Sequence, residues 1–158
     1  MDPVLRWIES SALSVWTRES TSLLAYPAIL SAHAIGMAMA VGVNMALALR
    51  LVGAASAIPA GELRRYAGVA WIGFVLNTVS GLMLLVAYPT KALTNPVFYL
   101  KLSLIAVGLG LFIAVNTRLE RGTAAVRMWI GVALFASWGG AIVAGRLLAY
   151  TYRRLMAG

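Results

Sequence analysis

Read for the spacing of apolar and polar positions, the chain divides into one short mixed stretch and four long apolar ones. Residues 3–19, PVLRWIESSALSVWTRE, place Leu5, Ile8, Ala12, Val15 and Trp16 at helical spacing, with Arg6, Glu9, Arg18 and Glu19 among them. That pattern predicts an amphipathic helix too polar to span a bilayer, lying in the interface with Trp7 and Trp16 at headgroup depth. Ser20-Thr21-Ser22 interrupt the pattern, and Pro27 suits the first turn of the next helix. Apolar runs then predict spans at about 23–49, 67–87, 97–115 and 126–149. The loop after the first span holds Gly53, Pro59 and Gly61, and the third span is entered through Asn95-Pro96, which stops one helix and starts another. From Pro27 to Leu49 there are 23 residues and no charge. At about 1.5 Å per residue they make roughly 34 Å of helix, enough for a hydrocarbon core of about 30 Å. The expected fold is all-α: an integral membrane four-helix up-down bundle with an N-terminal interfacial amphipathic helix, in a single transmembrane domain over residues 1–158.

Composition agrees with a membrane protein. The chain is 61% hydrophobic and 11% charged, against about 45–50% and about 25% in soluble domains. It has no cysteine, which excludes disulfides and thiolate metal sites. The net charge of +8 does not predict nucleic-acid binding, because the basic residues lie mainly at the ends of apolar runs, where they meet headgroups. Met1-Asp2-Pro3-Val4 lacks the basic and apolar regions of a cleavable signal peptide, so the first span is expected to direct insertion. Arg50, Arg64, Arg65, Arg118, Arg121 and Arg127 fall on one side. Arg6, Arg18, Lys91, Arg153 and Arg154 fall on the other, with Lys101 and Arg146 set into the helices. The positive-inside rule then puts both termini outside the cytoplasm.

Candidate chemistry centres on His33, the only histidine. On a helix it shares a face with Leu30, Gly36, Met37, Ala40 and Asn44. Gly36 and Ala40 keep that face shallow, open either to another helix or to a flat ligand. Gly73, Asn77, Ser80, Gly81 and Leu84 form a small, polar face on the second span. Gly139, Gly140, Ala141, Ala144 and Gly145 form another on the fourth. Small residues at this spacing usually serve helix packing in lipid. Lys101 and Arg146, near the ends of their spans, share the half of the membrane that holds His33, as do Tyr26, Tyr88, Tyr99 and Tyr150. Each cation taken alone is accounted for by snorkelling to headgroups, and His33 alone by a hydrogen bond across helices. Together they suit a porphyrin. Imidazole ligates haem iron, and two cations can pair with the propionates. With one histidine a bis-histidine haem within the chain is excluded. The iron would be five-coordinate, take Met37 or another weak sixth ligand, or be shared between protomers. The expected cofactor-binding residues are therefore His33 (also the metal ligand), Lys101, Arg146, Met37, Gly36, Asn77 and Tyr150.

The run His33-(x8)-Gly42-(x7)-Arg50-Leu51, the segment Asn95-Pro96-Val97-Phe98-Tyr99-Leu100-Lys101-Leu102 and the ending Ser137-Trp138 … Gly145-Arg146-Leu147-Leu148-Ala149-Tyr150 carry a resemblance. They resemble an uncharacterised family of four-helix bacterial membrane proteins, over nearly the whole chain. Ala48 departs from the acidic residue expected before the Leu-Arg-Leu stretch. More distantly, the first-helix histidine and the lysine opening the third helix look like the haem-binding protoporphyrinogen oxidases and the copper-resistance D membrane proteins. In the oxidases those two positions are functional, which implies a role for His33 and Lys101.

Three functions follow as expectations. The first is a haem b protein of the membrane engaged in electron transfer or an oxidase-like redox reaction. The second is a non-catalytic subunit or scaffold, forming a homo-oligomer or joining a larger membrane complex. The third is a copper(I) or small-solute transporter using His33, Met37, Met39 and Met45 as soft ligands. The sequence argues against a soluble-type hydrolase, since no carboxylate lies within the spans and no nucleophile–histidine–acid set can be proposed.

Overall fold

The computed structural model describes residues 3–118 and 123–155. Those residues form helices only: α1 (Pro3–Glu9), α2 (Ala12–Glu19), α3 (Tyr26–Leu51), α4 (Ala60–Arg65), α5 (Ala67–Ala87), α6 (Pro89–Leu93), α7 (Pro96–Arg118) and α8 (Ala124–Leu155). Four of them, α3, α5, α7 and α8, are long and apolar enough to cross a membrane. The chain is thus a four-helix membrane bundle. The first span starts at Tyr26 with Pro27 in its first turn, and it ends where Gly53 takes a left-handed φ of 91°, a turn for which glycine has no steric cost. The fourth helix runs beyond the expected Ala149, to Leu155.

The stretch expected as one helix over 3–19 is two. Ser10 and Ser11 break it, because the Ser11 hydroxyl accepts the Ser14 N–H at 3.3 Å and so starts a new helix. Helix α2 buries its polar residues Ser14 and Thr17 and exposes Leu13 and Trp16 along with Glu19. Its inner face grips the end of α5. Ser14 Oγ and Arg18 Nη1 both donate to the Ala87 carbonyl, at 3.4 and 3.1 Å. Glu9 Oε1 accepts the Thr90 N–H of α6 at 3.3 Å. These contacts satisfy backbone groups that a helix terminus leaves open.

Two close helix pairs make the bundle, α3 with α5 and α7 with α8, and α3 packing on α8 joins them. The tightest crossing is between Gly36 and Gly73. A Cβ at Gly36 would lie 2.6 Å from the Asn77 nitrogen, and one at Gly73 would lie 2.6 Å from the Ala40 nitrogen. Only glycine at both positions lets the backbones touch. The fourth side of the bundle, α5 against α7, has few close backbone approaches. Away from the termini it is bridged by side chains: Trp71 meets Phe112 edge-on at 6.0 Å, and Arg64 donates to the Asn116 carbonyl. Asn95 closes the other end. Its Oδ1 accepts the Val97 N–H at 2.9 Å, and its Nδ2 donates to Thr151 Oγ1 at 2.7 Å, so the entry of α7 is tied to the last turns of α8. Thus α2, α6 and the end of α8 share one end of the bundle.

Candidate functional site

At that end the helices line a cavity of about 250 Å³. Leu30 and His33 of α3 line it with Gly81, Leu84 and Leu85 of α5. Phe98 and Lys101 of α7 and Gly145 and Leu148 of α8 face them. Lys91 and Ala92 of α6 cover the terminal end, beside Tyr26 and Tyr88. The two tyrosine rings stand perpendicular, 6.3 Å apart.

The His33 ring is set by α5. Nδ1 lies 3.1 Å from the Asn77 carbonyl and 3.1 Å from Ser80 Oγ. A carbonyl can only accept, so Nδ1 carries a proton, and in the neutral imidazole Nε2 then carries the lone pair. The Ser80 hydroxyl proton goes to the Leu76 carbonyl at 2.7 Å, which leaves its oxygen to accept from Nδ1. Asn77 answers with its side chain, Nδ2 donating to the His33 carbonyl at 2.8 Å. Gly81 gives the ring its seat: a Cβ there would come within 3.1 Å of His33 Cε1. Nε2 has no hydrogen-bond partner among the described residues. The Nδ1 edge is turned to α5, so Nε2 is the nitrogen left to the cavity.

Lys101 reaches the same cavity from α7. Its stem passes Gly145, where a Cβ would lie 3.8 Å from Nζ. It has no hydrogen bond or ion pair among the described residues. An ammonium held within a span is costly unless an anion or polar group joins it. The site therefore combines an unprotonated imidazole nitrogen, an uncompensated cation and apolar walls. Such a set suits a largely apolar ligand that bears an electron-pair acceptor and negative charge.

The sequence-expected residues distribute unevenly. His33 and Lys101 meet in the cavity. Asn77 and Gly36 stand behind His33: Asn77 orients the ring, and the face of Gly36 is filled by the α5 backbone, so the shallow face admits a helix at that point. Met37 packs against the apolar core cluster. Arg146 and Tyr150 are exposed and lie outside the cavity lining. Gly145, the neighbour of Arg146, lines the cavity instead. Met39 and Met45 approach Gly73 and Gly139 respectively, so these two methionines do not converge with His33. Among the described residues no group of three or more His, Cys, Asp or Glu side chains could hold a metal. Sequence reasoning missed Lys91 as a cavity residue, having counted it as a loop charge. It also missed Gly81 and Ser80 as the seat and second acceptor of the imidazole. Their one visible signal is the helical spacing from Asn77 to Ser80 and Gly81. No protein-family model, curated protein or solved structure matches this chain.

Proposed function

We propose that the protein binds haem b in the membrane through His33 and serves electron transfer or an oxidase-like redox reaction. The observation that carries this reading is the orientation of the imidazole. Metal-ligating histidines almost always donate their second ring N–H to a carbonyl or carboxylate, which fixes the tautomer and raises ligand basicity. His33 makes that bond to the Asn77 carbonyl and turns a lone pair toward an apolar cavity.

The donor set fits haem better than copper. Haem iron needs only one or two protein ligands, because the porphyrin supplies the rest. A copper(I) site needs several soft ligands together, and Met39 and Met45 lie at Gly73 and Gly139, away from His33, while Met37 packs against the core cluster. Lys101 and Lys91 are the cavity cations suited to propionate carboxylates. Arg146 is not needed for that role. The cavity volume is below the roughly 300–1,000 Å³ of sites that enclose drug-sized ligands, so a porphyrin would extend past the enclosed space between α5 and α7. Haem would supply one-electron chemistry. The chain's own residues hold the ligand nitrogen, place cations and exclude water.

The Arg-rich connections at the opposite end from α6 favour that end as cytoplasmic. On this reading the protein resides in a bacterial inner membrane, and the His33 cavity opens in the periplasmic half with both termini. The test is an absorption spectrum of protein purified from haem-replete cells, oxidised and dithionite-reduced. The reading expects a Soret band that sharpens and shifts on reduction and is lost in His33→Ala. A colourless wild-type protein that also fails to take up added haemin overturns it.

A further inference from the structure

We propose that the seam between α5 and α7 is a lateral portal, through which a flat, carboxylate-bearing amphiphile reaches His33 from the lipid rather than from water. The identity of that ligand rests on the haem reading above. The route does not.

The packing of the bundle points to this seam. Three pairs of neighbouring helices pack closely: α3 on α5, α3 on α8, and α7 on α8. Among the described residues α5 and α7 make few close backbone approaches, and both contribute to the cavity lining. On α5 the cavity takes Gly81, Leu84 and Leu85, positions that share one helical face. On α7 it takes Phe98 and Lys101, again one face. The two sets line one cavity, with Lys101 also bordering Gly145 of α8. Leu82 of α5 and Tyr99 and Leu102 of α7, each next in sequence to a cavity residue, are exposed, which in a span means that they face lipid.

The aqueous side is covered. Helix α6 lies across the terminal end of the cavity with Tyr88, Lys91 and Ala92. The N-terminal helices hold this corner, through Glu9 on the Thr90 N–H of α6 and Arg18 on the Ala87 carbonyl at the end of α5. A ligand entering through water would have to lift this corner against charged hydrogen bonds. A ligand already dissolved in the leaflet meets leucine, phenylalanine and Lys101 in one lining. That lining suits a molecule whose apolar body partitions into lipid and whose carboxylates seek a cation.

The chain has no native cysteine, so the test can use single-cysteine spin labels. Leu84→Cys and, on the facing helix, Phe98→Cys are labelled separately and reconstituted in phosphatidylcholine vesicles. Collision of each label is measured with oxygen, which concentrates in lipid, and with a water-soluble nickel chelate. The portal predicts several-fold greater oxygen than nickel accessibility at both sites. It also predicts a several-fold fall in oxygen accessibility when metal-free protoporphyrin IX is added. Greater nickel than oxygen accessibility means aqueous entry and overturns the portal. Low accessibility to both means a sealed seam and overturns it too. If oxygen access is high but protoporphyrin leaves it unchanged, the assigned occupant is wrong while the route stands. Two label positions on two helices protect the result against one variant that fails to fold.

Discussion

His33 and Asn77 hold each other twice across the α3–α5 contact. The imidazole Nδ1–H donates to the Asn77 carbonyl at 3.1 Å, and the Asn77 amide donates to the His33 carbonyl at 2.8 Å. Each helix carbonyl has two lone pairs, so it can accept this side-chain bond in addition to its own helical one. Polar bonds between membrane helices contribute about 0.6 kcal/mol on average and up to about 1.7 kcal/mol. Two of them are enough to fix a rotamer. Asn77→Ala removes the amide bond and leaves the carbonyl acceptor in place. We expect it to weaken haemin binding by about tenfold, the lower end of the range for losing support behind a metal ligand, without abolishing the Soret band. Titration followed by absorbance checks this.

The approach of Gly36 to Gly73 makes a stability prediction independent of any ligand. Adding a Cβ at either glycine puts a carbon 2.6 Å from backbone nitrogen, and backbone cannot rotate away as a side chain can. Gly36→Ala and Gly73→Ala should each cost about 1–3 kcal/mol, the usual range for overpacking. Gly42→Ala, where nothing lies within 4 Å, should be neutral or stabilising by up to about 1 kcal/mol. Unfolding of the three variants in mixed micelles, monitored by circular dichroism, separates the cases.

Lys101 and Arg146 look alike in the sequence and differ in the fold. Lys101 lines the cavity without an ion pair among the described residues, whereas Arg146 is exposed outside it. Lys101→Met should therefore reduce haemin affinity at least severalfold, while Arg146→Gln should leave it within about twofold, as expected of a surface charge. Equal losses in both variants would mean that carboxylate recognition is not local to the cavity.

Arg18 joins three elements. Its guanidinium donates to Ser14 Oγ, to the Ala87 carbonyl and to the Glu9 carbonyl, each at 3.1 Å. A hydrogen bond to a charged group contributes about 1.5–3 kcal/mol. Arg18→Ala should loosen the N-terminal helices from the end of α5 and raise amide exchange in residues 3–19 and 87–93, leaving the centre of α3 protected. Hydrogen-exchange mass spectrometry reads this directly.

The spans were legible because long uncharged runs between breakers have one stable form in lipid, a helix with its backbone bonds internal. Asn95-Pro96 was legible as a helix entry for the same local reason. The break at Ser10-Ser11 was not, since the apolar spacing from Leu5 to Trp16 continues through it and only the Ser11 cap divides it. The short helices α4 and α6 lie in connections whose apolar pattern is too brief to register. Which way each span faces was the harder question. A helix that is apolar all round presents no stripe to orient it. Arg146 could therefore be counted with Lys101 although its neighbour Gly145 takes the inward position, and Gly36 could be read as an open slot although Gly73 fills it. His33 and Lys101 were legible because each is the rare polar residue that lipid tolerates only for a reason.

The most direct test of His33 as the iron ligand is a haemin titration of the wild-type protein beside His33→Gly, with and without free imidazole, followed in the Soret region. We expect saturable one-to-one binding by the wild type and loss of the Soret signal in His33→Gly. Imidazole, able to enter the space left by the ring, should restore that signal. An unchanged Soret band in His33→Gly, or no binding by the wild type, would contradict the assignment.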